Sequence, residues 1–227
     1  MRNAFLSGSL SIDNVFRSLS YKRSFRKAHP DFFDPEGLLV FCGPQGSGKT
    51  LSAVKYCRSV LDQYPRCIFV SNVDISGISN PDRVHRYEGL KSLKQYENGY
   101  DGVLYLIDEI HLEWNSLESK NISIDEMIEF SQQRKQRKHI VGTSQVYGRI
   151  AKPLREQLRR VVLCQNYFGL LQCNQEIDGF NTTEKDGHIE TTPIHKYWWF
   201  HTPDLYDCYD TYAKMERYKR EWNGHAR

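Results

Sequence analysis

The chain has no apolar stretch near the ~20 residues needed to cross a membrane, since its apolar runs are about five residues long. Its N-terminal segment, MRNAFLSGSLSIDN, lacks the apolar core of a secretory signal peptide. Its six cysteines form no CxxC pair and are not spaced with histidine as zinc ligands are. These absences predict a protein without a membrane span, in a reducing compartment such as the cytoplasm.

The net charge of the 227 residues is only +3, but the charge is unevenly distributed. Residues 134–160 contain one acid and nine basic residues, a local charge of +8, and a second basic cluster lies within residues 22–27. The basic residues of the window are Arg134, Lys135, Arg137, Lys138, Arg149, Lys152, Arg155, Arg159 and Arg160. This asymmetry favours a polyanionic ligand, either nucleotide phosphates or a nucleic-acid backbone.

Five short apolar runs alternate with helical segments, which predicts βαβ units in a mainly parallel sheet. The runs are LLVFC (38–42), CIFVS (67–71), VLYLI (103–107), HIVGTS (139–144) and RVVLC (160–164). Helices are predicted over 48–61 and 122–138, with a helix-like KPLREQL before the fifth strand. We expect residues 1–36 to form an arm. Residues 37–227 are predicted to form one domain whose sheet is extended by C-terminal strands and a helix.

The segment GPQGSGKT (43–50) matches the phosphate-loop pattern GxxxxGK[ST] and lies between a predicted strand and a predicted helix. Glycines let successive backbone N–H groups wrap a phosphate, and the helix N-terminus adds a positive dipole. Lys49 is expected to reach the β- and γ-phosphates of ATP, and the Thr50 hydroxyl to bind Mg²⁺. The predicted nucleotide-binding residues are Gly43, Pro44, Gln45, Gly46, Ser47, Gly48, Lys49, Thr50 and Leu51.

The third predicted strand ends in an acidic pair, Asp108-Glu109. In enzymes with a phosphate loop, an aspartate here holds Mg²⁺, and an adjacent glutamate can act as the general base for water. The 59 residues from Lys49 to Asp108 leave room for one intervening strand and predict the sheet order 5-1-4-3-2. The alternative is that the two acids mark a solvated helix N-terminus.

Polar and basic residues flank the fourth predicted strand. Gln145, at its end, is a candidate to bond the γ-phosphate or the attacking water, with a solvent-facing strand end as the alternative. Arg134, and after it Arg137, are candidates for an arginine finger that reaches the γ-phosphate of a neighbouring subunit. Placement at a helix C-terminus, where cations suit the dipole, is their alternative. Arg155 and Arg159 are predicted to share a helix face, which is consistent with contacts to a DNA backbone, with solvated helix charges as the alternative.

Together these motifs resemble the FtsK/HerA-type P-loop ATPases, and in particular the viral genome-packaging ATPases and the zonula occludens toxin-like ATPases of phages. The resemblance rests on GPQGSGKT (43–50), LIDEIH (106–111), FSQQRKQRKHIVGTSQ (130–145), IAKPLREQLRRVV (150–162) and DLYDCYDTY (204–212). It implies an additional-strand, RecA-like α/β fold and an ATP- and Mg²⁺-dependent motor that moves DNA as a pentameric or hexameric ring. A capsid or portal partner, in the host cytoplasm or on the virion, is also implied. The residues carried over are Lys49, Thr50, Asp108, Glu109 and Gln145.

Other functions stay open at this point. The filamentous-phage members of the group resemble membrane-anchored assembly proteins, and the absence of an anchor segment here favours capsid packaging. The alternatives are a morphogenesis or secretion ATPase with a separate membrane partner, a small-molecule kinase, and a nucleotide-gated DNA-binding or scaffold protein without catalysis. The aromatic segment KYWWF (196–200) is expected to pack at a sheet edge or subunit interface, with base stacking as the alternative.

Overall fold

A computed structural model describes residues 11–35, 37–78, 80–113, 135–179, 182–185, 188–191 and 193–209. Its helices are α1 (Ile12–Ala28), α2 (Lys49–Gln63), α3 (Lys91–Gln95), α4 (Ile110–Glu113), α5 (Lys152–Arg155) and α6 (Pro203–Asp207). Its strands are β1 (Gly37–Cys42), β2 (Ile68–Ser71), β3 (Val84–Arg86), β4 (Val103–Ile107), β5 (Lys138–Ser144), β6 (Leu158–Tyr167), β7 (Leu171–Asp178), β8 (Thr183–Lys185), β9 (His188–Glu190) and β10 (Pro193–Phe200).

Eight of the described strands form one sheet in the order β10-β7-β6-β1-β5-β4-β2-β3. The five predicted strands correspond to β1, β2, β4, β5 and β6, and they are parallel in the predicted order 5-1-4-3-2. The sequence did not predict β3, which adds a parallel edge strand beyond β2. At the other end, β7 and β10 extend the sheet in antiparallel pairing. The predicted α/β fold with added C-terminal strands is confirmed.

Apolar side chains cover both faces of the sheet, which explains why the predicted strands are continuous apolar runs. In β1, Leu39 and Phe41 join the cluster under α2, whereas Leu38 and Val40 join the cluster on the opposite face. All six cysteines are buried and free. No helix in the described ranges is both long enough and apolar enough to span a bilayer.

The helix α1 occupies the predicted arm, and none of its residues is buried. Residues that follow it attach the arm to the domain. Phe33 is fully buried, and its N–H donates to the carbonyl of Tyr100 at 3.0 Å. The Phe33 ring packs on Gly102, where a Cβ would lie 2.2 Å from the ring and φ is 70°. A side chain at position 102 would therefore displace the arm.

Two helix predictions are wrong in part. The helix predicted over 122–138 falls mostly on residues 114–134, which lie outside the described residues, but 135–137 form a turn and Lys138 begins β5. Lys138 is 1% exposed, and its side-chain ammonium donates to the Leu93 carbonyl at 2.6 Å. Its backbone pairs with β4, so this charged residue is part of the strand and not of a helix. The helix-like KPLREQL is reduced to the four-residue α5, because Leu158 already pairs with β1.

The aromatic segment lies in β10, the edge strand at the end of the sheet opposite β3. Its alternate side chains face opposite ways, so Trp199 packs against the cluster under α2 while Trp198 is exposed and stacks on Tyr167, with ring centroids 5.6 Å apart. Packing at a sheet edge is therefore the role of one face of this strand. Beyond it, the predicted C-terminal helix is represented by α6, and residues 210–227 lie outside the described part.

Candidate active site

The phosphate loop, residues 43–50, connects the carboxyl end of β1 to the amino end of α2. Gly46 and Gly48 have φ values of 78° and 77°, a region that glycine adopts without steric cost. A Cβ on Gly48 would also lie 2.1 Å from Oε1 of Gln172, so this position has no room for a side chain. The Ser47 N–H donates to the Pro44 carbonyl at 3.2 Å and curls the loop.

The loop has the features of an anion site. Lys49 is the first residue of the 15-residue helix α2 and is buried, which places its charge at the positive end of the helix dipole. The hydroxyl of Ser47 is buried and has no hydrogen-bond partner among the described residues. A buried polar atom without a partner at a helix N-terminus indicates that a ligand completes the site. The predicted loop residues thus fit the phosphates of a nucleotide.

The predicted Mg²⁺ ligands lie together at the carboxyl edge of the sheet. Asp108 directly follows β4, and its Oδ1 accepts hydrogen bonds from the hydroxyl of Thr50 at 2.9 Å and from that of Thr143 at 2.6 Å. Hydroxyl and carboxylate oxygens are ligands that Mg²⁺ prefers. The donor set of Thr50 and Asp108 therefore fits that ion.

Asn72 fixes the backbone of Asp108. Its Nδ2 donates to the Asp108 carbonyl at 3.1 Å, and the Asp108 N–H donates to its Oδ1 at 2.8 Å. Neither Asn72 nor Thr143 was predicted from the sequence to belong to the site. A usable signal was present, since each is a polar residue at the carboxyl end of a predicted parallel strand, the same edge that carries Asp108.

Glu109, the predicted general base, has a φ of 56°, which is uncommon for a residue with a side chain. Its N–H donates to the Thr143 hydroxyl at 2.8 Å, and its carbonyl accepts from the Leu112 N–H at 2.8 Å. Nε2 of Gln145 donates to its Oε1 at 3.3 Å. The structure therefore brings Glu109 and Gln145 together beside Asp108. Backbone strain of this kind clusters at functional sites, where surrounding contacts hold it.

Arg137, one of the two arginine-finger candidates, lies away from the phosphate loop of its own chain. Arg137 precedes the amino end of β5, a seven-residue strand of about 20 Å whose carboxyl end meets the loop. Its Nη1 donates to the Phe33 carbonyl at 2.9 Å, and its guanidinium lies 3.5 Å from the centre of the Phe32 ring. Arg137 thus holds the arm within its own chain. Arg134 lies outside the described residues, and the finger role stays a prediction for both.

In the described part of the basic window, residues 135–160, the cations lie on different elements of the fold. Arg155 ends α5 and lies over the ring of Tyr147 at 5.6 Å, whereas Arg159 and Arg160 belong to the start of β6. Arg160 pairs with Glu176 at 3.0 Å. The prediction that Arg155 and Arg159 share a helix face is wrong, because the chain enters β6 between them.

A cavity of about 490 Å³ adjoins the phosphate loop on the side of β6, β7 and β10. Its polar lining includes Gln165, Asn166, Gln175 and Lys196, and the Oδ1 of Asn166 is buried with no hydrogen-bond partner in the described part of the chain. The volume lies in the range of small-molecule sites. The cavity is large enough for the part of a nucleotide that extends beyond the loop.

Neither the protein-family models nor the curated protein sequences match this chain. Solved structures do match. The N-terminal domain of zonular occludens toxin from Neisseria meningitidis covers 78% of this chain and 100% of its own, with a TM-score of 0.51 and 14% identity. The DNA-packaging ATPase B204 from Sulfolobus turreted icosahedral virus covers 71% of this chain and 100% of its own, with a TM-score of 0.51 and 11% identity. The genome packaging NTPase B204 from Sulfolobus turreted icosahedral virus 2, in complex with ATP-gammaS, covers 70% of this chain and 97% of its own. Its TM-score is 0.50 and its sequence identity is 11%. The chain therefore has the fold of these proteins.

Proposed function

We propose that this protein is an ATP-hydrolysing motor that translocates DNA, and that its task is to package a viral genome into a capsid. The observation that carries the proposal is the arrangement around Glu109. Glu109 directly follows Asp108, which pairs with Thr50 at the phosphate loop. The backbone N–H of Glu109 donates to the Thr143 hydroxyl, and its carboxylate accepts from the Gln145 amide. This arrangement suits activation of a water molecule. The shared fold with the packaging NTPases supports the same class of protein.

Each residue of the site has a chemical task in this proposal. Lys49 and the loop N–H groups bind the phosphates of ATP, and Thr50 and Asp108 hold Mg²⁺, which neutralises phosphate charge when bound. The Glu109 carboxylate accepts the proton of the water whose oxygen attacks the γ-phosphorus, so that the products are ADP and phosphate. Gln145 orients the Glu109 carboxylate through its amide.

The motor would act as a ring in which a neighbour's arginine completes each site. Arg134 and Arg137 are the candidates from the sequence, and the latter would first have to leave the Phe33 carbonyl.

Cations on the connection between β5 and β6 would meet the DNA backbone, since Arg149 and Lys152 are exposed there. Such contacts are independent of base sequence and weaken with salt. A capsid or portal protein would receive the ring.

ATP hydrolysis by the purified protein across a concentration series, with and without duplex DNA, tests the proposal. We expect the rate of ATP hydrolysis to rise more than in proportion to protein concentration, and to rise further when DNA is added. Glu109→Gln should bind ATP but hydrolyse it at least about 100-fold more slowly, since it lacks the base. Lys49→Ala should lose binding itself. A hydrolysis rate that is proportional to protein concentration and unchanged by DNA would refute the proposed motor function.

A morphogenesis or secretion ATPase is the second candidate, because the zonular occludens toxin domain matches with the same TM-score as the packaging ATPase. Fractionation of cells that produce the protein separates the two. Recovery with the membranes would favour morphogenesis, and recovery with the soluble proteins would favour packaging. Transfer of the γ-phosphate to a small molecule would instead indicate a kinase. Unchanged function in Glu109→Gln would indicate a scaffold.

A further inference from the structure

Two polar side chains of β7 are buried behind the phosphate loop. Gln172 is 0% exposed and Asn174 is 1% exposed. They point to the same face because they are two residues apart in a strand. Burying an amide costs free energy unless its polar atoms find partners. Their partners show what the pair holds in place.

Gln172 contacts the loop directly. Its Nε2 donates one hydrogen bond to the Ser47 carbonyl at 2.8 Å and one to Oδ1 of Asn174 at 3.0 Å. Its Oε1 occupies the space where a Cβ of Gly48 would lie, and it faces Nε2 of His201 at 3.3 Å. Both amide hydrogens are therefore used, and the side chain lies against the two residues that precede Lys49.

Asn174 fixes Gln172 from behind. Its Oδ1 also accepts from the Ser52 hydroxyl of α2 at 3.4 Å, and its Nδ2 donates to the Tyr197 hydroxyl of β10 at 3.2 Å. The pair thus links the loop, α2 and the added strands β7 and β10. Gln172 and Ser47 are 125 residues apart in the chain, so only the fold brings them together.

We propose that Gln172 is a positioning residue for nucleotide binding, which acts by holding the Ser47 carbonyl. The peptide unit is planar and trans, so its C=O and N–H bonds point in opposite directions. Fixing the Ser47 carbonyl toward β7 therefore turns the Gly48 N–H away from β7. A phosphate loop binds its ligand through such N–H groups, and a loop held in the binding conformation saves the cost of ordering it. The inference rests on the proposed function, since it assumes that this loop binds ATP.

Binding of ATPγS with Mg²⁺ to the full chain, measured by calorimetry, tests the proposal together with thermal unfolding of the nucleotide-free protein. Gln172→Met keeps the length of the side chain but cannot donate to Ser47, and its Kd should rise about tenfold, the effect of one lost hydrogen bond to a buried carbonyl. Tyr197→Phe is the matched control, because it removes a hydroxyl from the far side of Asn174. Its Kd should stay within about twofold of the wild type, less than the effect of one hydrogen bond.

Gln172→Glu gives a readout that a purely structural role would not move. A carboxylate cannot donate to the Ser47 carbonyl, whereas a protonated carboxyl can. Burial raises the pKa of a carboxyl, so the ratio of variant to wild-type Kd should fall toward one as the pH is lowered. Two titratable groups lie near this side chain. His201 contacts Gln172 directly, and Tyr197 contacts Asn174, which in turn bonds Gln172. Both groups are present in the wild type and in Gln172→Glu, whose Kd values are compared at the same pH.

The outcomes separate this inference from the proposed function. If the wild type does not bind ATPγS, the proposed function fails first. If the wild type binds and both Gln172 variants bind equally well, the positioning role is overturned. An equal loss of affinity in Tyr197→Phe would also overturn it, because the effect would then belong to the fold. If Gln172→Met does not fold, the pH comparison of Gln172→Glu decides.

Discussion

Replacing Thr143 with valine tests how the acidic strand end is held. The Thr143 side chain is fully buried, and its hydroxyl donates to Asp108 at 2.6 Å while it accepts from the Glu109 N–H at 2.8 Å. Valine has nearly the same shape but can neither donate nor accept. The substitution therefore removes two hydrogen bonds without creating a cavity. Thr143→Ser is the control, since it keeps the hydroxyl and removes one methyl group.

The expected magnitude follows from the two partners. A hydrogen bond to a charged group contributes about 1.5–3 kcal/mol, and leaving a buried N–H unpaired costs about 1–3 kcal/mol. Asp108 keeps its bond from Thr50, so we expect the lower part of each range and a combined loss of about 3 kcal/mol in the free energy of unfolding. Loss of one buried methyl in Thr143→Ser should cost about 1 kcal/mol.

Urea unfolding of the nucleotide-free protein measures this difference, and ATP hydrolysis gives a second readout. We expect Thr143→Val to lower kcat about 100-fold, because the Glu109 carboxylate loses its orientation, and Thr143→Ser to change it little. The reasoning is refuted if valine and serine destabilise equally, or if Thr143→Val keeps the wild-type kcat. Either result would mean that the hydroxyl does not hold the acidic pair.

Three further predictions follow from contacts around the site. Glu109 has a φ of 56°, so Glu109→Gly should be more stable than Glu109→Ala by about 1 kcal/mol in urea unfolding, although both lose hydrolysis; equal stability would show that the backbone there is not strained. Asn72→Ala removes both bonds to the Asp108 backbone and should lower the free energy of unfolding by about 1–3 kcal/mol, with the loss of ATPase activity exceeding the loss of folded protein. Burial lowers the pKa of His201, so as the pH falls below about 6.5 the unfolded chain takes up a proton before the folded one. Stability is therefore present above this pH and is lost as the pH falls through the folded pKa, and we expect His201→Gln to be less sensitive to acid between about pH 7 and 5 than the wild type.

The parts of the site that depend on local pattern were predictable. The phosphate loop is a contiguous motif whose glycines and Lys49 have fixed chemical tasks, and Asp108-Glu109 ends an apolar strand. The order of the five parallel strands followed from the distance along the chain between these motifs. In each case the interacting groups lie within one strand–loop–helix unit, or in strands whose order the handedness of βαβ units restricts.

The remaining features depend on tertiary structure, because they arise between residues that are distant in sequence. Thr143 meets Asp108 only because β4 and β5 are neighbours, and Gln172 meets Ser47 only because β7 is added beyond β6. Arg137 shows the reverse case, since a cation beside a predicted helix end is bound instead to the arm. Sequence periodicity reports which face of an element is apolar, but not which element packs on it. The sequence by itself determined the loop, the acids and the central strand order, and the packing of distant strands decided which side chains hold them in place.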